Sequence, residues 1–312
     1  MTKIEEIKNP ILWDNIVCKS NQYSLLCSSK FLSGLTCPHR FFLLKEKQNI
    51  KMSVLIFEKK KKFEKYFLQD FNYNQGFYFF DSDLIERKRN KERIRLTNIF
   101  LHEITKNYSE LRFSLNYNIK DIRAFQWFDY PKKKFQINTV YTSIINLNEF
   151  KTFEEYIKSI RYERRREYRL FAKTDYKIIQ ENNHKKFIKL YKFLKPNIGK
   201  LMFDTHLKVI RNAGKKNFSR TNFLLDKNKI IAGTLFYYHK DTAYYAFSVS
   251  DPNYKKKISC TTPLILEQIN YSFKNKIKNV DFLGINSPNR GDFKESFGGK
   301  LEFFSELFYK KI

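Results

Sequence analysis

Cysteine is scarce and unpatterned in this chain. Cys18, Cys27, Cys37 and Cys260 form no C-x-x-C pair, so neither a zinc knuckle nor a dithiol redox centre is expected, and reduced thiols are the reading. The five histidines, at 39, 102, 184, 206 and 239, are scattered without an H-E-x-x-H pair, which sets a metalloenzyme aside and leaves metal ligands at none. Long apolar runs are missing too. The stretches at 230–238 and 243–249 fall far short of the roughly 18 residues a membrane span needs. The opening Met1-Thr-Lys-Ile-Glu-Glu has no basic-then-apolar order, so a soluble, cytoplasmic protein is expected. Acidic residues are outnumbered, Asp+Glu 32 against Lys+Arg 60, for a net charge of +28. With Gly at 9 and Pro at 7 beside abundant Lys, Asn, Ile, Phe and Tyr, part of that charge reads as codon bias spread over solvated surface. A field of this size still attracts polyanions such as RNA, anionic lipid or phosphorylated metabolites.

What the chain does have is apolar mass. Hydrophobic residues make up 42% of it and aromatics 17%, with 32 Phe and 20 Tyr. A disordered polycation needs low hydrophobicity beside high charge, and these aromatics remove the first condition. A length of 312 residues suits two domains of roughly 100–200 residues each.

The second half carries the clearer pattern. Thr152-Phe-Glu-Glu155 is a capping box that opens a helix expected to run over 152–173. A second helix is expected over 184–194, stopped by Pro196, and a third over 201–213, closed by Gly214 as a left-handed cap. Strands at 221–225 and 230–238 flank the turn Asp226-Lys-Asn-Lys229, and 242–250 is a third strand. Thr262-Pro263 reads as a cap followed by proline at the first helical position, opening a helix to about residue 276. A strand at 279–283, a loop with a short helix, and a last strand at 301–309 complete the order.

The first half repeats this order in blurred form. Phe42-Leu-Leu-Lys-Glu-Lys-Gln-Asn-Ile lines up with Phe223-Leu-Leu-Asp-Lys-Asn-Lys-Ile-Ile. Strands at 53–57 and 77–80, a long helix over 82–106 and a strand at 111–115 follow. The expected architecture is α/β, an α+β arrangement with mixed sheets, duplicated in tandem as domains 1–147 and 148–312.

The terminal segment Val280-Asp-Phe-Leu-Gly-Ile-Asn-Ser-Pro-Asn-Arg-Gly-Asp-Phe-Lys-Glu-Ser-Phe-Gly-Gly299, on this element order, resembles the FemAB-like acyltransferases, which are tandem members of the GNAT fold. Ala124-Phe-Gln-Trp-Phe128, Tyr141-Thr-Ser-Ile-Ile-Asn-Leu147 and the arginine-rich helix at 161–169 look similar too. The resemblance implies transfer of an acyl or aminoacyl group to an amine, with the donor carbonyl entering between the strands at 242–250 and 279–283. It places Lys294, the lysine of the family's Phe-Lys pair, at the tetrahedral intermediate as the catalytic residue; for its neighbour Phe293, shaping the donor or acceptor channel and packing in the core are both open.

Other residues are read from their own chemistry. Asp281 lies in a buried strand, where a carboxylate needs a partner; pairing with Lys294, orienting Arg290 and capping a turn are the three roles open to it. Arg164 falls on the apolar side of its helix and wants an anion, either a carboxylate such as Glu163 or Glu167 or a ligand phosphate. Arg165, Arg166 and Arg169 are solvated or track a nucleic-acid backbone. CoA-using GNAT enzymes carry a Gly-rich turn before the helix that holds pyrophosphate, whereas Tyr254-Lys-Lys-Lys-Ile-Ser-Cys-Thr-Thr262 has no glycine. Ser259, Thr261 and Thr262 with the lysines at 255–257 are left to bind a phosphate, and the departure favours charged tRNA over acetyl-CoA as donor.

The expectation is thus an acyltransferase with no tightly bound cofactor. Its donor is aminoacyl-tRNA or acyl-CoA, and its acceptor an amine on a cell-envelope glycan or precursor. It is placed in the cytoplasm, with peripheral contact at the anionic inner face of the membrane. The alternatives are an acyl-CoA-dependent enzyme acting on an amino sugar or small metabolite, and a non-catalytic RNA-binding protein. Basic runs at 59–62, 87–93 and 132–134 have weaker claims to nucleic acid; Phe63, Tyr66 and Phe67 interleave with the first as a stacking platform would.

Overall fold

The computed structural model describes residues 2–35, 37–57, 74–81, 83–194, 200–254 and 259–311. The basic run at 59–62 with its aromatics at 63, 66 and 67, and the lysines at 255–257, lie outside the described residues. The chain divides into two compact units, Met1–Val140 with Phe303–Ile312, and Tyr141–Glu302. The sequence boundary at 147/148 thus stands beside a structural division at 140/141, and the C-terminal residues belong with the first unit. No described helix is long and apolar enough to cross a membrane.

The first unit holds β1 (Thr2–Ile7), α1 (Pro10–Val17), α2 (Ser29–Leu32), β2 (His39–Glu46), β3 (Asn49–Phe57), β4 (Phe77–Phe79), α3 (Glu86–Ile104), β5 (Glu110–Ser114) and α4 (Arg123–Gln126). Strands β1–β4 form an antiparallel sheet in chain order, with Ile7 opposite Phe41, Phe42 opposite Val54 and Ser53 opposite Tyr78. Alternation sends Phe41 to one face, stacked on Trp13 of α1 at 4.4 Å, and Phe42 to the other, against Phe100 of α3. Helix α3 buries Leu96, Phe100, Leu101 and Ile104, a stripe at helical spacing. Strand β5 pairs with the last strand, β12 (Lys300–Lys310), placing Phe113 opposite Leu307. Strand β6 (Phe135–Asn146) runs through the division between the units.

The second unit holds α5 (Phe153–Ser159), α6 (Tyr162–Phe171), β7 (Lys177–Gln180), α7 (His184–Leu194), α8 (Lys200–Lys215), β8 (Ser219–Asp226), β9 (Lys229–His239), β10 (Thr242–Ser250), α9 (Thr261–Lys274), β11 (Asn279–Asp281) and α10 (Pro288–Glu295). Its strands lie in the order β6-β11-β10-β9-β8-β7. Among these described pairs only β10 and β11 run parallel, as the crossover through α9 requires. Phe236, Ala243, Ile265, Ile269, Val280 and Phe282 are fully buried in its core, each large side chain contributing about 1.5–3 kcal/mol.

Three local expectations are corrected. The helix expected over 152–173 breaks at Ile160, whose backbone is extended. The break drops Ile160 into the core at 2% exposure and lets the Arg161 N–H donate to the Ser296 carbonyl at 3.1 Å. Gly214 does not cap α8; it sits inside the helix, where an added Cβ would stand 2.6 Å from the His184 ring, and the left-handed residue is Asn217. Thr262 does not cap α9 either. The helix begins at Thr261, and Ser259 Oγ accepts the Thr262 N–H at 3.3 Å, which frees the Thr262 hydroxyl for another partner.

Candidate active site

Strands β10 and β11 start together and then part. They pair at Thr242 with Asn279, Ala243 with Val280 and Tyr244 with Asp281, and the ladder ends there. On its other edge β10 carries a bulge between Tyr245 and Phe247 that leaves Ala246 without a partner, a device that bends a strand away from its neighbour. The chain leaving β11 stays instead with β6: the Phe282 N–H donates to Ser143 O at 3.0 Å and the Ile285 N–H to Tyr141 O at 3.1 Å. A wedge therefore opens between the remainder of β10 and residues 282–285. The 279–283 strand of the sequence reading is shorter for this reason, ending at Asp281.

Lys294 reaches into that wedge from α10. The helix starts after Ser287 with Pro288 at its first position, and Gly291 lies so close to the Ile285 carbonyl that no side chain fits between them. From there the Lys294 Nζ donates to Phe282 O at 2.6 Å, Gly284 O at 2.8 Å and Leu283 O at 3.3 Å. The same nitrogen lies 5.4 Å from the centre of the Tyr245 ring on the opposite strand. Thus one ammonium touches both sides of the opening. Its three N–H donors are all engaged by carbonyls, so it offers the wedge a positive charge and a fixed backbone rather than a free donor. Burial pushes the Lys294 amine down to about 8; the Asp281 carboxylate pulls the other way and Arg290 pushes in the same direction as burial.

Asp281 holds the turn beneath. Its Oδ1 accepts from the Thr142 hydroxyl at 2.6 Å and from the Leu283 N–H at 2.8 Å, and burial raises its pKa. Leu283 and Gly284 both have positive φ, +49° and +83°, so this carboxylate fixes a turn that a side chain such as leucine resists. Of the three roles open to Asp281 in the sequence, capping a backbone turn is the one its hydrogen bonds serve. Tyr245 closes the other wall, its hydroxyl donating to Ser248 Oγ at 2.5 Å and its pKa pushed up to about 12 by burial.

A second polar cluster stands at the start of α9. Arg164, its side chain 15% exposed, lies 2.6 Å from the Glu167 carboxylate and donates to Thr262 Oγ1 at 3.0 Å. The Thr262 hydroxyl donates to Glu167 at 2.6 Å, and Ser259 Oγ stands 3.0 Å from it. The Arg164 guanidinium lies 5.0 Å from the Phe293 ring centre, so Phe293, next to Lys294 on α10, joins the two clusters. The Arg164 Nε is buried without a hydrogen-bond partner among the described residues. Of the sequence candidates, Lys294, Phe293, Asp281, Arg164 and Ser259 come together here. Thr261, the first residue of α9, is adjacent in sequence. Arg165 is directed elsewhere, donating to the Lys158 carbonyl at 2.9 Å and lying against Tyr162. Tyr245 and Thr142 escaped the sequence reading: one tyrosine among 20 and one strand threonine carry no local signal.

The comparisons with known proteins fit this geometry. Residues 202–312 match the FemAB family, a span that contains both strands of the wedge, α9 and α10. No curated protein matches the sequence. Among solved structures, FemX superposes with a TM-score of 0.65 at 11% identity, covering 97% of this chain and 96% of that one. A tandem GNAT protein from the clavulanic acid biosynthesis pathway gives 0.59 at 5% identity, with 100% and 99% coverage. L-PGS from Bacillus licheniformis gives 0.54 at 13% identity, with 99% and 94% coverage. At such identities these likenesses speak for the fold. The chain thus has a fold like that of the tandem GNAT proteins, and its residues 202–312 match the FemAB family.

Proposed function

We propose that this protein is an acyltransferase of the FemAB kind, forming an amide on an amine of a cell-envelope glycan or its nucleotide- or lipid-linked precursor. The observation that carries the reading is the wedge between β10 and residues 282–285 with the Lys294 ammonium across it. A donor carbonyl seated in the wedge meets the edge of β10 beyond Tyr244, which has no strand partner on that side. Backbone N–H groups there are the oxyanion donors, and the Lys294 charge stabilises the same developing negative charge, together on the order of 3 kcal/mol. The acceptor nitrogen attacks the ester carbonyl, a C–N bond forms, and the C–O bond to the donor breaks. The amine's proton leaves with the departing oxygen, directly or through water.

The donor we favour is aminoacyl-tRNA. The loop before α9 lacks the glycines that let a backbone wrap a pyrophosphate, while Arg164 keeps a buried Nε without a hydrogen-bond partner among the described residues and stands with Ser259 and Thr262 at the helix start. An acyl-CoA donor is the second reading, favoured by those same hydroxyls. A non-catalytic RNA-binding role would want the wedge closed. The test presents purified protein with radiolabelled aminoacyl-tRNA or with radiolabelled acetyl-CoA, plus an amine-bearing nucleotide-linked envelope precursor. Amide product from tRNA supports the reading, product from acetyl-CoA alone moves it to the second, and product from neither rejects it.

A further inference from the structure

The first unit presents an aromatic tip that the wedge does not use. After α4 the chain folds into consecutive tight turns, with the Tyr130 N–H donating to Trp127 O at 3.1 Å and the Lys132 N–H to Asp129 O at 3.0 Å. Asp129 and Lys133 adopt positive φ, +55° and +44°. Phe125, Phe128 and Phe135 point inward and pack on one another and on Tyr309. Trp127 and Tyr130 point outward, 50% and 75% exposed. Pro131, Lys132 and Lys133 beside them are exposed as well, and Lys134 lies 3.8 Å from Asp129. The turn is thus anchored from below by three buried rings and carries two bare rings above, collared by lysine.

Exposed Trp and Tyr beside lysines suit one surface best. Their rings sit at the headgroup level of a bilayer, one end apolar and the other wet, and each lysine near an anionic leaflet contributes about 1 kcal/mol. A single-stranded RNA would need open ring faces along a basic groove. Here the tip is a projecting turn, and one Trp127 face is already covered by Arg123, whose guanidinium lies 5.2 Å away and is held by Asp121 at 2.7 Å. A net charge of +28 adds a long-range field of the sign that draws the tip to anionic lipid.

We propose that the turn spanning Trp127 to Lys134 is a membrane-docking tip, seating Trp127 and Tyr130 among the headgroups of an anionic bilayer while Lys132 and Lys133 meet its phosphates. The proposal stands apart from the acyl-transfer reading and fails or survives independently of it. The chain offers its own probe, because it has 2 Trp and the other, Trp13, is 0% exposed. Vesicles of phosphatidylcholine mixed with phosphatidylglycerol should shift Trp127 emission to the blue, and brominated lipid should quench it, while phosphatidylcholine alone does neither. Lys132→Ala with Lys133→Ala should weaken vesicle co-sedimentation about 30-fold, the equivalent of two lysines. Trp127→Ala with Tyr130→Ala should weaken it at least as much, with Trp13 emission confirming an intact fold. An unshifted emission with the mixed vesicles overturns the proposal, as does undiminished sedimentation of the aromatic double variant. A response of Trp127 to a single-stranded RNA oligomer and not to vesicles would do the same, and would make the tip an RNA platform.

Discussion

The two units run the same element order to different ends. In the second, β10 and β11 share three residue pairs and then diverge around a lysine. In the first, the corresponding pieces are β4 and β5, which belong to different sheets and meet through one isolated antiparallel bridge between Gln75, just before β4, and Ser114, with reciprocal backbone hydrogen bonds of 2.6 and 2.8 Å. The space beside them is filled by rings: Phe77 meets Phe113 at 4.9 Å, Phe125 at 5.2 Å and Phe100 at 5.8 Å. A cavity lined by Phe77, Phe79 and Leu115 amounts to about 10 Å³, at the lower limit for one water molecule. One copy of the fold has spent this position on packing and the other on a charged opening. The difference teaches that the duplicated fold supplies a potential slot twice, and that side-chain volume decides whether it is one.

The largest effects should separate the two regions most sharply. Lys294→Met should reduce transfer by about 100-fold, the scale of losing one oxyanion-stabilising group, with near-UV circular dichroism unchanged. Phe113→Ala should do the reverse. It should cost about 3–5 kcal/mol of stability, as aromatic deletions in a packed core do, while the activity of the remaining folded protein stays close to normal. If Phe113→Ala abolished turnover in protein shown to be folded, the division of labour would be wrong.

Asp281→Asn comes next. It keeps the size but weakens the hold on the Leu283 N–H and the Thr142 hydroxyl, so a drop of about tenfold in kcat is expected from a shifted turn. Its readout is kcat against KM, since a misplaced wall alters the reacting geometry more than binding. The pH profile tests the same site. Lys294 titrates at about 8 in the folded protein against an ordinary 10.5, and the ammonium form is the one that bridges three carbonyls. Turnover should therefore fall as pH rises through about 8, and Lys294→Arg should move that limb upward. Stability has the opposite sign. Between about 8 and 10.5 the unfolded chain holds this proton and the folded chain does not, so the contribution of Lys294 to stability grows with pH over that window. Comparing wild type with Lys294→Met in denaturant titrations reads it out.

The smallest effect concerns Asn222, buried at 0% exposure opposite Thr234, with neither side-chain polar atom hydrogen-bonded among the described residues. An unpaired buried amide costs about 1–3 kcal/mol. Asn222→Leu should accordingly raise Tm by a few degrees; a fall would mean that a buried water satisfies the amide.

Much of this was legible in the sequence, unevenly. Helix 184–194 and strand 242–250 match α7 and β10 at both ends, because periodicity and flanking turn residues agree there. The Phe293-Lys294 pair is singled out by the family resemblance alone, since a lysine in so basic a chain carries no signal of its own. The break at Ile160 was hidden because 152–173 has helical spacing throughout, and only the core that receives Ile160 disrupts it. The wedge itself was implied by the fold. What opens it, a bulge at Ala246 and the continued attachment of residues 282–285 to β6, is long-range pairing that no local window records.

The central claim, that the opening in the second unit receives the donor, is most directly tested by hydrogen–deuterium exchange with a stable amide-linked aminoacyl-tRNA analogue and, in a parallel arm, with CoA. The account predicts slowed exchange at residues 245–250 and 282–285 with the tRNA analogue and unchanged exchange at Phe77–Phe79 and Glu110–Ser114. Protection of those first-unit strands instead, or no protection of the wedge by either compound, would contradict it.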